Sequence, residues 1–184
     1  MRRKNDALRE RLLACAQSLT KEGGAQAVSM RALADRAGVA AGTVYNYFAN
    51  KDELLLALTE HAWREALTDM ARCRCPGSFA DQLEWVIAFL RERMNGPAGR
   101  LMRSLGKAEE AGLARMAGMQ EALAADLARR MAEDPCVRAD AFGEGMTREN
   151  LAGFLVQNLP PLLRPKAESS AVLLWVVRRV LYEP

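Results

Sequence analysis

The fold of this chain is constrained most by residues 29–53, SMRALADRAGVAAGTVYNYFANKDE. Ser29 has a side chain that accepts hydrogen bonds from the free backbone N–H groups at the start of a helix. Apolar residues then recur at helical spacing from Met30 to Ala37. Gly38 suits the left-handed residue that ends a helix, because it has no Cβ to clash. A helix, a short turn containing glycine and a second helix have the spacing of a helix-turn-helix.

The run AGVAAGTVYNYFANKDELL, residues 37–55, closely resembles the DNA-binding signature of the tetracycline-repressor (TetR/AcrR) family of bacterial transcription regulators. The resemblance covers roughly the first third of the chain, and it departs from the family in two places. Ala40 stands where the family often has Ser, so the second helix lacks its usual cap. Ala41 stands where a basic residue is frequent, and we therefore expect fewer phosphate contacts from this helix. The matching residues are Ala37, Gly38, Val39, Gly42, Thr43, Tyr45, Tyr47, Phe48, Lys51, Leu54 and Leu55.

The exposed side of the second helix carries no acidic residue, which suits a surface that lies against phosphates. We predict that Thr43, Tyr45 and Asn46 contact bases in the major groove. The open N-terminus of the following helix is expected to hold a phosphate group. The other residues assigned to the DNA-binding site are Ser29, Arg31, Tyr47 and Lys51.

Charge is distributed unevenly along the chain. Residues 1–51 hold nine Lys/Arg and four Asp/Glu, a net charge of +5, whereas residues 52–184 hold seventeen and nineteen, a net charge of −2. A basic segment followed by an acidic remainder predicts nucleic acid as a partner at one end only. We therefore divide the chain into a helix-turn-helix DNA-binding module (1–51) and, by the resemblance, a helical ligand-binding and dimerisation domain (52–184).

The residue types predict an all-α protein. Helix-favouring Ala, Leu, Arg, Met and Glu dominate, and no stretch alternates apolar and polar residues as a half-buried strand does. The longest apolar run, residues 171–177, is far shorter than the roughly 18–20 residues of a membrane span. Charged residues interrupt the segment that a signal peptide would need. We expect a cytoplasmic protein with reduced cysteines and no membrane partner.

Periodicity predicts the helices. The first runs from about Asp6 to Lys21 and ends at Gly23-Gly24. The fourth runs from Asn50 to about Arg72, roughly 33 Å at 1.5 Å per residue, and joins the three-helix module to the body. Later helices are predicted from Ser78 to Met94, from Arg100 to Glu110 (a weak helix flanked by glycines), from Leu113 to Met131, from Thr147 to a stop at Pro160-Pro161, and from Glu168 to Tyr182.

The last predicted helix carries the run AVLLWVV, residues 171–177, and is apolar around most of its circumference. A helix that is apolar on all sides must be buried on all sides, which favours contact with a second copy of the chain over a wholly intramolecular position. The resemblance implies the same, since TetR-like regulators form dimers through their last two long helices. The residues assigned to this interface are Leu151, Leu155, Leu173, Val176, Val177 and Val180.

By resemblance, a small-molecule effector binds among the middle helices and moves the fourth helix. Since the body is acidic and the candidate lining is aromatic and Met-rich, we expect an apolar or amphipathic ligand, neutral or cationic rather than a phosphate ester. The expected protein is a dimeric repressor that leaves a palindromic operator when the ligand binds. The candidate lining residues, each of which alone is more simply a core residue, are Trp85, Phe89, Met94, Met102, Met116, Met119 and Phe154. Phe154 is also predicted to point inward.

No pattern in the sequence is typical of an enzyme or of a cofactor site, because it has no Gly-rich phosphate loop, no Ser/His/Asp set and a single histidine. Two alternatives to the ligand-released repressor remain. One is an architectural DNA-binding protein without a ligand. The other is a thiol-based redox regulator that acts through Cys73, Cys75 or Cys136. A metal site is not favoured, because such sites usually need three or four ligands, and the simplest interpretation of Cys73 and Cys75 is two thiols at a helix end.

Overall fold

A computed structural model describes residues 6–73, 75–96, 109–143, 145–163 and 169–183, with the backbone alone over 109–116. These residues form helices and one isolated β-bridge, between Gly143 and Met146, and no strand. The all-α prediction is confirmed. None of the helices in these ranges is both long and apolar enough to cross a membrane. The helices are α1 (Asp6–Ala27), α2 (Met30–Ala37), α3 (Ala41–Tyr45), α4 (Lys51–Arg72), α5 (Phe79–Asn95), α6 (Glu109–Glu133), α7 (Arg148–Leu162) and α8 (Ala171–Tyr182), with a 3-10 turn at Ala139–Ala141.

Side-chain caps begin three of these helices as the sequence predicts. Ser29 Oγ accepts the N–H of Ala32 at 3.1 Å, and Thr147 Oγ1 accepts the N–H of Asn150 at 3.1 Å. At the start of α4, Asn50 Oδ1 accepts the N–H of Glu53 at 2.8 Å. These bonds satisfy backbone donors that have no partner within the helix.

Several helix boundaries differ from the prediction or fall outside the described residues, and α6, for example, begins at Glu109 and not at Leu113. α1 is interrupted where the sequence predicts its end, because Gly23 and Gly24 have non-helical backbone geometry, the latter with φ 69°, and a short helical piece follows to Ala27. α7 runs through Pro160 and Pro161 and ends at Leu162. A proline removes one backbone donor and crowds the preceding turn, but here that loss falls in the last turn of the helix. Most of the predicted helix from Arg100 to Glu110 lies outside the described residues.

The chain divides into two compact units, and the division falls within α4 between Arg64 and Glu65. The first unit contains α1, α2, α3 and the start of α4. Its core is apolar, and its fully buried members include Leu12, Leu13, Leu33, Val44, Phe48 and Leu54. The second unit contains the end of α4, all of α5, most of α6, and α7 and α8. Its fully buried members include Met70, Phe79, Leu83, Ile87, Leu90, Leu127 and Leu155.

A buried carboxylate joins distant segments of the second unit. Asp134 accepts the N–H of Phe79 at 2.7 Å, the N–H of Cys136 at 2.8 Å and the hydroxyl of Tyr182 at 2.7 Å. Burial alone raises the pKa of Asp134, but these three hydrogen bonds outweigh it and the net pKa lies below the ordinary value. Burial and the bond to Asp134 raise the pKa of Tyr182 to about 12. The start of α5 and the end of α8 therefore share one anchor.

A buried guanidinium forms the second anchor of this unit. Arg130 on α6 is 3% exposed. Its Nε binds Asp126 at 2.6 Å, its Nη1 binds Gln82 at 3.1 Å, and its Nη2 binds the carbonyl oxygen of Met70 at 2.7 Å. Arg130 thereby ties the last turn of α4 to α5 and α6.

Candidate functional site

The helix-turn-helix forms at the predicted residues. Gly38 adopts the left-handed conformation with φ 63° and ends α2. Val39 donates its N–H to the carbonyl of Ala34 at 3.0 Å, and the small Ala34 side chain is buried at this turn. Val44 is fully buried, so it fixes the face that α3 turns to the core.

α3 is short, but its turn continues past its last residue. As predicted, Ala40 provides no side-chain cap. The N–H groups of Tyr47 and Phe48 both donate to the carbonyl of Val44, at 2.9 and 3.0 Å. Phe48 is almost completely buried. This anchor holds the end of the turn while the opposite side of α3 remains in solvent.

The predicted base-contacting residues lie on that solvent side. Tyr45 is 54% exposed, Asn46 is exposed and Thr43 is half-buried. Residues 40–50 contain no acidic side chain. The surface therefore offers an aromatic ring, an amide and a hydroxyl, which are groups that contact base edges and sugars.

The other residues assigned to the DNA-binding site differ in exposure. Lys51, the first residue of α4, and Arg31, in the first turn of α2, are exposed. Ser29 is also exposed, and its Oγ is already the cap of α2. Tyr47 is half-buried and packs against the core. The structure thus brings two cations and one hydroxyl to helix starts, and Tyr47 lies partly inside.

Two arginines that sequence reasoning missed support this surface. Arg11 on α1 donates to the carbonyl of Ala37, the last residue of α2, at 3.1 Å. Arg36 pairs with both carboxylate oxygens of Glu22, at 2.8 and 2.6 Å. This hydrogen bonding lowers the pKa of Glu22 and raises that of Arg36. Neither partner is recognisable in the sequence, because each lies 14 or more positions away.

The candidate ligand-lining residues fall into separate groups. Trp85 and Phe89 on α5 stack with ring centroids 5.1 Å apart, and the guanidinium of Arg93 lies 5.0 Å from the centre of the Phe89 ring. Met94 and Met119 are half-buried. The Met102 and Met116 side chains lie outside the described residues. Phe154 was expected to point inward, and this prediction is wrong because Phe154 is largely exposed.

α5 also carries a polar group that the sequence did not suggest. Arg91 donates from Nε to the carbonyl of Leu162 at 3.0 Å. Its Nη2 atom is buried and has no hydrogen-bond partner among the described residues. An unpaired buried donor is costly, and so this nitrogen is a candidate contact for an acceptor on a ligand.

The predicted interface residues divide between the interior and the surface of one chain. Leu155 and Val177 are buried within the chain, so assigning them to a dimer interface was wrong. Both lie on the side of their helix that fills the core of the second unit. Leu151, Leu173 and Val180 are half-buried, and Val176 is exposed. Two further apolar side chains of α8 were not predicted at the interface: Val172 is 73% exposed, and Trp175 is largely exposed.

The chain shows similarity to known regulators in sequence and in fold. Residues 12–58 match the sequence model of the bacterial regulatory proteins of the tetR family. Over 49 residues the chain is 49% identical to the HTH-type transcriptional repressor KstR of Mycobacterium tuberculosis. This alignment covers 27% of this chain and 22% of the relative. The fold resembles that of Salmonella enterica GusR, with a TM-score of 0.64 and 17% identity over 97% of each chain. It also resembles the transcriptional regulator FadR of Bacillus subtilis in complex with stearoyl-CoA, with a TM-score of 0.55 and 17% identity over 95% of this chain and 98% of the other.

These similarities have different extents. The alignments span 22% to 32% of the length of the curated relatives. The solved structures show the shared fold over nearly the whole chain. Residues 12–58 therefore carry the N-terminal module of the bacterial regulatory proteins of the tetR family, and the likeness over the whole chain is one of fold.

Proposed function

We propose that this protein is a DNA-binding transcription regulator that reads its site through α2, α3 and the start of α4. The observation that carries the proposal is the exposed, acid-free side of α3, which presents Tyr45 and Asn46 while Val44 and Phe48 fix its other side in the core. Lys51 and Arg31 add positive charge at two helix starts, where backbone N–H groups also favour phosphate.

We further propose that the regulator is a homodimeric repressor in the cytoplasm. The matched relative KstR is a transcriptional repressor. Large apolar side chains on the last two helices, Phe154, Val172, Trp175 and Val176, are exposed in a single chain. A second copy would remove them from water, which is favourable in proportion to apolar area. Such a dimer reads a palindrome with half-sites about one helical turn, roughly 34 Å, apart.

The proposed effector is an apolar or amphipathic small molecule that carries a hydrogen-bond acceptor. The stacked Trp85 and Phe89 provide aromatic surface, and the unpaired Nη2 of Arg91 provides a donor. The structural neighbour FadR was solved with stearoyl-CoA, an amphipathic ligand. These observations support an acceptor such as a carbonyl, which a neutral ligand can carry, or a carboxylate, which would depart from the expectation of a neutral or cationic ligand.

The effector would act through the end of α4. Arg93 lies over the Phe89 ring and also binds Asp69 of α4 at 2.9 Å. Arg130 holds the Met70 carbonyl of the same turn. A ligand that displaces Phe89 therefore disturbs contacts of α4, a continuous helix whose first residue is Lys51. A ligand shifts such an equilibrium only by its difference in affinity for the two states.

The DNA-binding proposal is tested by selection from a pool of random DNA duplexes. We expect the wild-type protein to enrich a palindrome. Tyr45→Ala should lose affinity for the selected site much more than for scrambled DNA. Lys51→Ala should weaken binding to both alike and reduce the salt dependence by about one released ion. Lys21→Ala, which removes an exposed lysine of α1, is the matched control and should bind as wild type. Equal binding of wild type to selected and scrambled DNA would refute the proposal.

The dimer is tested by sedimentation velocity at micromolar concentration. Val176→Arg should shift the protein to monomer and weaken operator binding, because the interface would bury an unpaired charge. Ala132→Arg places the same side chain at an exposed position of α6 and should leave the dimer intact. A wild-type monomer at this concentration would contradict the dimer.

The effector is tested through reciprocity. A compound that releases the protein from its operator must bind free protein more tightly than DNA-bound protein, by the same factor. Calorimetric titration of both forms measures the two affinities, and equal values for a releasing compound would exclude this mechanism. Arg91→Met should weaken the binding of a compound that carries a hydrogen-bond acceptor. Arg64→Met removes an exposed arginine of α4 and should leave that binding unchanged.

A further inference from the structure

Two thiols meet directly after the end of α4. Cys73 follows the last helical residue, and its N–H still donates to the carbonyls of Asp69 and Met70, both at 3.2 Å. Cys75 lies two positions further, and the two Sγ atoms are 3.3 Å apart. Both cysteines are half-buried and neither is in a disulfide. They therefore form a close thiol pair whose first member still belongs to the hydrogen bonding of the helix.

The same place contains the guanidinium that holds α4. Nη2 of Arg130 lies 2.7 Å from the Met70 carbonyl and 3.5 Å from the Cys73 carbonyl. Burial raises the pKa of the Cys75 thiol, and the Arg130 guanidinium is close enough to lower it in part. The thiol pair and the last carbonyls of α4 thus share one buried cation, and a change in the position of Cys75 changes the surroundings of that cation.

We propose that Cys73 and Cys75 form a reversible dithiol–disulfide switch that responds to small-molecule disulfides and controls the order of the last turn of α4. The switch lies outside the DNA-binding surface and outside the aromatic face of α5. Its effect on DNA rests on the function proposed above, but its chemistry does not.

The reaction is a thiol–disulfide exchange in two steps. A solvent base removes the Cys73 proton, and the thiolate attacks one sulfur of the small disulfide, whose S–S bond breaks and releases one small thiolate. Cys75 then loses its proton and attacks the mixed disulfide at Cys73, so that the Cys73–Cys75 bond forms and the second small thiolate leaves. The released thiolates take up the two protons. The protein is oxidised by two electrons, and the small disulfide is reduced by two.

The surroundings suit these roles. Burial raises the pKa of the Cys75 thiol, and so does its hydrogen bond with Cys73. Cys75 therefore ionises less readily than an ordinary thiol, which suits it to act second, as the resolving thiol. Closing the bond shortens the Sγ–Sγ distance from 3.3 Å to about 2.05 Å. Because Nη2 of Arg130 lies 3.5 Å from the carbonyl of Cys73 and 2.7 Å from that of Met70, we expect this movement to disturb the contacts of Arg130 with the end of α4.

Cys136 does not belong to this pair. It is exposed, and no group of three metal-ligating side chains occurs among the described residues. The chemistry at Cys73 and Cys75 is therefore exchange between two thiols rather than metal binding by three, and Cys136→Ser serves as the matched control.

The first experiment titrates the full-length protein with mixtures of reduced and oxidised glutathione. Intact mass spectrometry should show loss of two hydrogens, about 2 Da, and peptide mapping should place the bond between Cys73 and Cys75. Cys136→Ser should behave as wild type. Cys75→Ser should stop at the mixed disulfide, whereas Cys73→Ser, which lacks the attacking thiol, should stay largely reduced at Cys75. Oxidation that yields only mixed disulfides or cross-linked chains in the wild type would overturn the proposal.

The second experiment measures amide hydrogen exchange in both redox states. Peptides over residues 65–73 should exchange about tenfold faster in the oxidised protein, because the last turn of α4 loses its hydrogen bonds. The variant with both cysteines replaced by serine should not change with oxidant. A disulfide that forms without faster exchange would also overturn the proposal. Operator affinity is measured in parallel, and it should fall on oxidation. Failure of the reduced protein to bind any DNA would contradict the proposed function and leave the mass and exchange results to decide the switch.

Discussion

The two units of the molecule hold their buried polar groups in different ways. In the first unit, buried Thr20 and Thr59 each donate to the carbonyl four residues earlier, Ala16 and Leu55, at 2.9 Å. In the second unit, the buried polar side chains of Arg130 and Asp134 bind groups 48 to 60 positions away. The buried polar side chains of the first unit therefore find hydrogen-bond partners within their own helix, whereas those of the second unit bind groups far away in the sequence.

This difference has consequences for stability. A local bond forms with its own helix and is lost only with that helix. A buried long-range contact joins several elements, and the removal of one partner leaves the others unpaired in a poorly solvated place. We therefore expect single polar substitutions to be costly in the second unit and mild in the first, and we expect the second unit to respond to pH.

Arg130→Met should have the largest effect. It removes the guanidinium and leaves the nearly buried Asp126 carboxylate and the Met70 carbonyl without this partner. Breaking a buried pair by removing one side costs about 3 kcal/mol or more. Urea denaturation followed by circular dichroism measures the loss. Arg129→Met removes an exposed arginine next to it in the sequence, and it should cost much less because exposed pairs contribute little. If both variants lose similar amounts of unfolding free energy, the burial of Arg130 does not determine its contribution to stability.

Asp134 should make the stability of the second unit sensitive to acid. Its folded pKa lies below its ordinary value, so its contribution is complete above that ordinary value and is lost as pH falls through the lowered pKa. Denaturation between pH 7 and pH 2 should show this loss below roughly pH 4. Asp134→Asn should remove that part of the pH dependence and should cost about 2 kcal/mol at neutral pH, because its amide offers a donor where donors already converge. An unchanged acid profile in the variant would contradict this assignment.

The contrast between the units also explains how much could be predicted from sequence. Ser29, Gly38 and Asn50 act on backbone within a few positions, so their roles were recognisable from spacing alone. Arg130 and Asp134 were not, because no periodic pattern links a residue to a partner about 50 positions away. The side of α8 that is buried also could not be predicted from the sequence. Residues 171–177 are apolar in every direction, and only packing shows that Val177 lies inside while Val172 lies outside.

Tyr182 should make the same unit sensitive to alkali, with a smaller effect at neutral pH. Its pKa is raised to about 12, so its contribution is complete below the ordinary value and declines as pH rises from there through about 12. Tyr182→Phe should lose about 1 kcal/mol at neutral pH and should no longer show this alkaline decline. Tyr45→Phe removes the hydroxyl of an exposed tyrosine of the first unit and serves as the control. If both variants retain the wild-type alkaline profile, Tyr182 is not responsible for it.

Substitutions of Ser29 should have the smallest effect on stability, and they can separate its role as the cap of α2 from its expected contact with DNA. Ser29→Ala removes the cap of α2 and should cost about 1 kcal/mol, as Thr147→Ala should at the start of α7. Aspartate caps a helix about as well as serine, and its charge favours the helix N-terminus. Ser29→Asp should therefore keep the stability of wild type. If Ser29 lies against phosphate, the new carboxylate should lower affinity for all DNA sequences several-fold, whereas Thr147→Asp should change neither stability nor DNA affinity. Fluorescence anisotropy with labelled duplexes measures this, and wild-type affinity in a stable Ser29→Asp protein would remove Ser29 from the DNA-binding surface.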